Sequence, residues 1–250
     1  MKENNKIDLY PAYVEPFHVD FSGNLFLGIL GNHLLNAAGK HSQKRGWGIC
    51  ALNENRNTWV LSRLSIEMFE MPKQNEHFQV KTWVEGVMKL FTSRNFSVLK
   101  PDGTPYGYAR SVWAMIDMET RKPCDLFSLY DGDILNYIVD EEENQCPIEG
   151  HGRFRFKDPV HVRTIDTYYS DVDINGHINS IKYIEHVLDL FPKEKFEKQR
   201  VRRFEIAYKT EAYMGDKLSF YQQTENENVY EIEVRKNDNE IACQVKICFE

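Results

Sequence analysis

Hydrophobic and polar residues alternate along most of this chain, and in two places a helical period replaces the alternation. The clearest alternating run is 58–69, in which every second residue from Val60 to Met68 falls on one face. Similar runs predict further strands at 13–21, 77–87, 91–100, 106–118, 161–169, 201–210, 217–224 and 229–249. We expect the last run to be a hairpin that turns at Asn237-Asp238-Asn239.

Two helices are predicted from apolar residues spaced three and four apart. In the first, which Gly46 is expected to end, one face carries Leu27, Leu30, Leu34 and Ala37 or Ala38. In the second, which Asn179 or Ser180 is expected to cap, the face carries Ile181, Ile184, Leu188 and Phe191. Gly28, Gly31 and Gly39 are poor helix formers, so they either permit a close approach by a strand or ligand or are a tolerated cost. One long helix followed by antiparallel strands predicts an α+β fold.

The order of elements occurs twice, which predicts a tandem of two modules. The segment RLSIEMFEMPKQNEHFQV from Arg63 aligns without gaps with RFEIAYKTEAYMGDKLSF from Arg203. Between the halves, 127–159 loses the pattern and contains the acidic run 140–143, which predicts a linker. We therefore expect an N-terminal module over 1–150, including this linker, and a C-terminal module over 151–250.

Composition narrows the class of protein. The 250 residues are 42% hydrophobic and 13% aromatic, which is enough for a sizeable core. The net charge of -7 and the lack of a Lys/Arg block argue against nucleic-acid binding. Five scattered cysteines without C-x-x-C spacing predict reduced thiols and no metal site. No signal-like or membrane-spanning apolar run is present, so we expect a cytoplasmic protein with no membrane span, and no cofactor motif appears.

A polar turn before the second helix is the candidate site. Asp173, Asn175 and His177 occupy alternate positions there, at the end of a helix whose N–H groups and dipole favour negative charge. The competing interpretation is purely structural, because Asp and Asn are common turn residues. The first half has Asp20, Ser22 and Asn24 at the matching place and no histidine in the turn, so we expect one chemical site, in the second half.

Glu211 is a second candidate, on the polar face near the end of the strand at 201–210. Taken alone, it is most simply a solvated carboxylate.

The chain resembles the acyl-acyl-carrier-protein thioesterases shared by plants and bacteria, over about residues 10–250. The resemblance rests on DVDINGHINSIKYIEH from Asp171, WVLSRLSIEM from Trp59, WAMIDMETRKP from Trp113 and YKTEAYMGD from Tyr208. It implies a double hot dog, in which two long helices are each wrapped by an antiparallel sheet, and catalytic roles for Asp173, Asn175, His177 and Glu211. Plant members often carry a cysteine after that glutamate, whereas Ala212 follows here, which excludes a cysteine acyl-enzyme at this position.

The resemblance also implies a substrate and a partner. The substrate would be a fatty acyl group on acyl carrier protein, with Leu30, Leu34 and Ala38 as candidate lining of the acyl pocket. Because the carrier is acidic, we expect it to dock on local positive charge, for which the densest stretch comprises Lys193, Lys195, Lys198, Arg200, Arg202 and Arg203. Core packing and a solvated charged face are the alternative interpretations of these two sets.

Thioester hydrolysis needs a base for water and a donor for the oxyanion. We expect Glu211 or Asp173 to help activate water, His177 to orient or deprotonate it, and Asn175 or a helix N–H to polarise the carbonyl. An acyl-CoA thioesterase, a non-catalytic acyl-binding protein and, less favoured, a dehydratase are the rival functions, since one fold hosts many. Either a monomer or a homodimer is compatible with a double module.

Overall fold

The computed structural model describes residues 5–139 and 144–250, and in it ten antiparallel strands form one continuous sheet. The strands of the first half are β1 (Asp8–Tyr13), β2 (Asn57–Met68), β3 (His77–Val87), β4 (Phe91–Leu99) and β5 (Pro105–Asp117). Those of the second half are β6 (Val160–Asp166), β7 (Val201–Tyr208), β8 (Lys217–Asn226), β9 (Val229–Lys236) and β10 (Glu240–Phe249). The helices are α1 (Leu27–Lys44), α2 (Ile49–Glu54), α3 (Ser180–Leu188) and α4 (Lys193–Lys198).

The strand order shows that the two halves have the same topology. From one edge to the other it runs β1-β3-β4-β5-β2-β7-β10-β9-β8-β6, so the second half repeats the first in reverse order across the sheet. The halves join through β2 and β7, where Ser65 lies opposite Glu205. These two residues are also equivalent in the ungapped alignment, so an approximate twofold axis passes between them. The predicted α+β class and the repeated order of elements are confirmed.

Both main helices pack into one core shared by the two halves. The core contains Leu30 and Leu34 from α1, Ile181 and Ile184 from α3, and inward-facing residues of the central strands such as Leu64. Burying each such aliphatic side chain contributes roughly 1.5–3 kcal/mol before conformational entropy is counted. The second helix is shorter than expected, with nine residues against 18 in α1, so only one of the two is long.

Two of the three helix glycines allow the helices to approach each other. A Cβ on Gly28 would lie 2.9 Å from Glu185 Cγ, and one on Gly31 would lie 2.7 Å from Ile181 Cδ1. The close neighbour is therefore a helix, where we had expected a strand or a ligand. Since residue numbers rise along α1 as they fall along α3, the helices cross antiparallel, and Ile181 at the N-terminus of α3 lies beside Gly31.

The predicted first strand at 13–21 is wrong. The strand runs instead over Asp8–Tyr13, on the N-terminal side of the predicted run, and Pro16–His18 forms a 3-10 turn. Pro16 lacks the N–H that a strand needs and is suited to the first turn of a helix. Pro11 is tolerated within β1 because β1 lies at the edge of the sheet.

Other predicted boundaries of helices and turns agree more closely with the structure. Gly46 adopts a φ of +82°, which suits the residue that ends α1, and Asn237 and Asp238 form the predicted hairpin turn with positive φ values of 49° and 64°. The second helix stops at Leu188, where we had expected Phe191, because Pro192 cannot continue it.

The predicted linker is folded against the first module. Residues Leu129–Tyr137 form a 3-10 helix, and Ile134, Val139 and Ile148 are buried. Farther along, His151 Nδ1 lies 2.7 Å from Ser65 Oγ, at the approximate twofold axis. The acidic run 140–143 lies outside the described residues. Among those described, no helix is long and apolar enough to cross a membrane.

Candidate active site

The turn before α3 is shaped by the side chain of its first residue. Asp173 Oδ1 accepts hydrogen bonds from the backbone N–H of Asn175 at 2.8 Å and of His177 at 3.2 Å. Gly176 completes the turn with a φ of +82°. Asp173 Oδ2 accepts a longer bond of 3.4 Å from Asn175 Nδ2, and the Asn175 side chain is exposed. The hydrogen bonds of Asp173 are therefore those of a turn residue, in agreement with the structural interpretation.

His177 and Glu211 meet across the site. His177 Nδ1 lies 3.3 Å from Glu211 Oε1, and both side chains are partly buried. The imidazole also packs edge-on against the ring of Tyr213, with ring centroids 5.2 Å apart. A carboxylate at Nδ1 holds the proton on that nitrogen, which leaves Nε2 as the acceptor. No described residue makes a hydrogen bond to His177 Nε2, so this nitrogen can accept a proton from water.

A cation from the first module also pairs with Glu211. Arg121 Nη2 donates to the same Glu211 oxygen that faces His177. Arg121 lies in the turn after β5 and has a positive φ of 59°. Sequence reasoning missed this residue, because nothing in the chain relates an arginine to a glutamate that is 90 positions away.

The N-terminus of α3 offers a donor to an anion. Asn179 caps the helix by accepting a hydrogen bond of 2.9 Å from the N–H of Ile181. The N–H of Ser180, the first residue of the helix, has no partner in residues 5–139 and 144–250. Such an N–H, reinforced by the helix dipole, is suited to stabilising an oxyanion.

A cavity of about 780 Å³ begins at this helix end and continues into the first module. Asp173, Asn179 and Ser180 lie at its site end, and the second half of α1 forms one wall. Its apolar lining includes Trp47, Trp59, Leu61, Trp113 and Ile134. The volume and apolar walls suit an alkyl chain.

The residues predicted to line an acyl pocket divide between the core and this cavity. Ala38 lines the cavity. Leu30 and Leu34 are fully buried in the shared core and are not among the cavity's described lining residues. The helical spacing puts all three on the same face, but α1 borders the cavity only from Leu35 onward.

The basic stretch after α3 is largely neutralised. Arg202 and Arg203 both pair with Glu67, at 2.9 and 2.7 Å, and Arg200 pairs with Glu250. Lys193 pairs with Glu197, while Lys195 lies over the rings of Tyr230 and Phe249. Lys198 is exposed, and no ion pair to it occurs among the described residues. Docking of a carrier at this stretch stays a prediction, with less free charge than the sequence indicates.

No group of three or more His, Cys, Asp or Glu side chains in residues 5–139 and 144–250 is arranged to hold a metal ion.

Two family models match most of the chain. The model described as the acyl-ACP thioesterase N-terminal domain matches residues 12–130, and that of the acyl-ACP thioesterase C-terminal domain matches residues 156–250.

Curated plant proteins are similar at lower identity. Oleoyl-acyl carrier protein thioesterase 2, chloroplastic, of Arabidopsis thaliana is 22% identical over 86% of this chain and 62% of its own length. Acyl-[acyl-carrier-protein] hydrolase FATB3, chloroplastic, of Cuphea viscosissima is 29% identical over 61% of this chain and 38% of its own length. The chain thus spans less than two thirds of the length of these relatives.

Solved structures match over the whole chain. An acyl-ACP thioesterase from Bacteroides thetaiotaomicron is 55% identical, with a TM-score of 0.93 and full coverage of both chains. The 12:0-ACP thioesterase from Umbellularia californica has a TM-score of 0.84 over 98% of both chains, and its 16% identity supports the fold alone. The predicted double hot dog is confirmed.

Proposed function

The chain belongs to the acyl-ACP thioesterase family, and from this we propose that it hydrolyses the thioester of fatty acyl-acyl carrier protein to free fatty acid and holo carrier protein. The observation that carries the proposal is the contact of 3.3 Å between His177 Nδ1 and Glu211 Oε1, on a turn whose first residue, Asp173, lines an apolar cavity. A base held by a carboxylate beside an acyl-sized slot is what thioester hydrolysis requires.

In our mechanism His177 is the general base. The Glu211 carboxylate faces Nδ1 and favours the proton on that nitrogen, so Nε2 removes a proton from the attacking water, and the carboxylate stabilises the imidazolium that forms. His177 then returns the proton to the leaving thiolate. Arg121, by donating to Glu211, keeps that carboxylate in place.

Asp173 has a supporting role in this mechanism. Its Oδ1 already accepts two backbone hydrogen bonds within the turn, so it is poorly placed to take a further proton. Its task is to hold the turn that presents His177. We therefore propose the His177–Glu211 pair as the base, and Glu211 as the assisting carboxylate of the two that the sequence left open.

The oxyanion forms beside α3. We assign its stabilisation to the Ser180 N–H, which lines the cavity and is supported by the helix dipole. Asn175 is exposed and hydrogen-bonded to Asp173, so it is the weaker candidate.

The two halves have different tasks in this proposal. The N-terminal module, over 1–150, supplies the wall of the acyl cavity and Arg121, and the C-terminal module, over 151–250, supplies the turn, His177 and Glu211. Acyl carrier protein would deliver the substrate by its phosphopantetheine-linked acyl group, in the cytoplasm.

The test is free-thiol release from matched acyl-carrier-protein and acyl-CoA thioesters over several chain lengths. We expect fast release from the carrier-bound substrates by the wild type and loss of that release in His177→Ala. A clear preference for CoA would replace the partner and keep the chemistry. Binding of acyl chains without any hydrolysis would overturn the proposal.

A further inference from the structure

A buried arginine interrupts the apolar wall of the cavity. Arg94, on β4, is 6% exposed and lines the cavity among tryptophan and aliphatic side chains. Its described hydrogen bonds go to two hydroxyls, Thr82 Oγ1 and Ser42 Oγ, each at 3.3 Å. Burial lowers the pKa of Arg94 to about 10, which still leaves the guanidinium charged at neutral pH.

Arg94 has no carboxylate partner in the described part of the chain. No ion pair of residues 5–139 and 144–250 includes it. The nearby Asp8 is already held by Lys44 at 2.7 Å and by Arg45 at 2.5 Å. A buried charge is costly unless it is paired, and two long hydrogen bonds to hydroxyls compensate it incompletely.

The charges around the cavity are divided between its two ends. The described lining contains four cations, Lys40, Lys44, Arg45 and Arg94, and a single carboxylate, Asp173. Asp173 lies at the site end, whereas Lys44 and Arg45 lie where α1 terminates. His41, also in the lining, adds no charge at neutral pH, because burial lowers its pKa to about 3. Asp8 offsets one of the two charges of Lys44 and Arg45, so with Arg94 the far end of the cavity keeps a net positive charge.

The distance along α1 gives the position of Arg94 within the cavity. The α1 wall of the cavity begins at Leu35, and Arg94 contacts Ser42, seven residues farther along the helix. Seven residues of helix span about 10 Å at about 1.5 Å per residue. An extended chain advances about 1.2 Å per bond, so this span corresponds to about eight or nine bonds of an acyl chain.

We propose that the preferred acyl chain carries a hydrogen-bond-accepting oxygen, a hydroxyl or a carboxylate, in its distal part, and that Arg94 binds that oxygen. The proposal rests on the thioesterase function proposed above and specifies its substrate class. A guanidinium has only donors, so it can be satisfied by an acceptor and gains nothing from a methylene chain. The apolar walls bind the alkyl part of the chain, and Arg94 selects its end.

The experiment compares carrier-bound thioesters that differ only at the far end of the acyl chain. Decanoyl, its terminally hydroxylated analogue and its terminally carboxylated analogue are assayed by thiol release, with the octanoyl and dodecanoyl series to find the best length. We expect at least one oxygenated substrate to exceed the plain chain of equal length by about tenfold in kcat/KM, because a hydrogen bond to a buried charge discriminates by that order. The two oxygenated series distinguish a hydroxyl from a carboxylate.

Two variants of Arg94 test its part in the preference. In Arg94→Met the kcat/KM ratio of oxygenated to plain chains should fall to about one, and Arg94→Lys should keep part of it. Arg235→Met is the matched control, since Arg235 lies on β9 and pairs with Glu233. It should keep the wild-type ratio. Melting temperatures establish that each variant is folded.

Three results would overturn the inference. One is a wild-type protein that hydrolyses plain chains as fast as oxygenated ones at every length. Another is a preference that survives in Arg94→Met. The third is an equal loss on all substrates in that variant, which would make Arg94 a structural residue. If no thioester is hydrolysed, the proposed function fails, and calorimetric binding of the free plain and oxygenated acids still tests Arg94 separately.

Discussion

The turns that precede α1 and α3 have the same backbone and different side chains. Asp20 Oδ1 accepts from the N–H of Ser22 at 2.8 Å and of Asn24 at 3.1 Å, matching the two bonds of Asp173. Gly23 has a φ of +78°, close to the +82° of Gly176. A carboxylate at the first position is thus what this turn requires in both halves, whether or not chemistry takes place there.

The difference lies at two later positions. Asn24 stands where the second half has His177, and the ungapped alignment puts Met71 where it has Glu211. The surrounding bonds are again the same, since Leu25 N donates to Pro72 O and Ile178 N donates to Ala212 O, both at 2.8 Å. The acidic residue of the turn therefore belongs to the fold, while the histidine and the glutamate, which only the second half has, are the residues to which we assign the chemistry.

The largest effect is expected at the histidine. His177→Ala should lower kcat by about a hundredfold or more, because it removes the general base. Asn24→Ala is the matched change in the other half, and it should leave kcat within about twofold and serve as the control for any disturbance of such a turn. Steady-state thiol release measures both. Near-normal turnover in His177→Ala would break the distinction between the two turns.

Glu211→Met replaces the glutamate of the second half by methionine, which is the residue at the equivalent position, Met71, of the first half. We expect a loss in kcat of between about tenfold and a hundredfold, since His177 loses the group that fixes its tautomer and stabilises its charge. Asp173→Asn sharpens the result, because an amide oxygen still accepts the two backbone bonds of the turn. Asp173→Asn should lower kcat less than Glu211→Met does. A larger loss in Asp173→Asn would make Asp173 the base.

Arg121 tests whether the first module contributes to the site. Arg121→Ala should lower kcat by about tenfold with a smaller change in KM, since a charge-assisted hydrogen bond to Glu211 is lost. Arg121→Lys should restore part of the activity, because its ammonium can still reach the carboxylate. An effect confined to stability, with no rescue by lysine, would assign Arg121 a structural role only.

The alternating pattern was sufficient to predict most strands and the repeat, because an antiparallel sheet with one buried face imposes a period of two. The prediction of the first strand was wrong because propensity and alternation favoured 13–21, although Pro16 has no backbone N–H to donate to a neighbouring strand. The packing of the linker could not be predicted because its buried residues, such as Ile134 and Ile148, follow no period. They fill space against strands that are already formed, and only the tertiary structure shows that.

The candidate site could be predicted only as far as local sequence and family resemblance reach. The turn and His177 lie together in the chain, and Glu211 is a candidate from its place near a strand end, but its catalytic role came from the resemblance. Arg121 and Arg94 could not be found, since each acquires its meaning from side chains far away in sequence. The docking stretch shows the opposite case, because charges counted in sequence are cancelled by Glu67 and Glu250 in the fold.

The smallest predicted effect concerns the histidines in the two main helices. α1 buries His41, whose Nε2 lies 3.0 Å from the Lys6 carbonyl oxygen, whereas His186 of α3 lies 3.0 Å from Asp171 Oδ1. Burial lowers the pKa of His41 to about 3, from an ordinary value of 6.5. Between these values the unfolded state binds a proton that the folded state does not, so stability falls as the pH falls through this window.

For His41 this linkage lowers the free energy of unfolding by about 1 kcal/mol between pH 7 and pH 5.5. His41→Gln can keep a donor to the Lys6 carbonyl and does not titrate, so its unfolding curves in urea should lose that part of the pH dependence. His77→Gln, a change at an exposed histidine, is the control. An unchanged pH dependence in His41→Gln would mean that the acid sensitivity originates elsewhere. A reduced dependence would locate it in α1 and so extend the difference between the two halves from chemistry to stability.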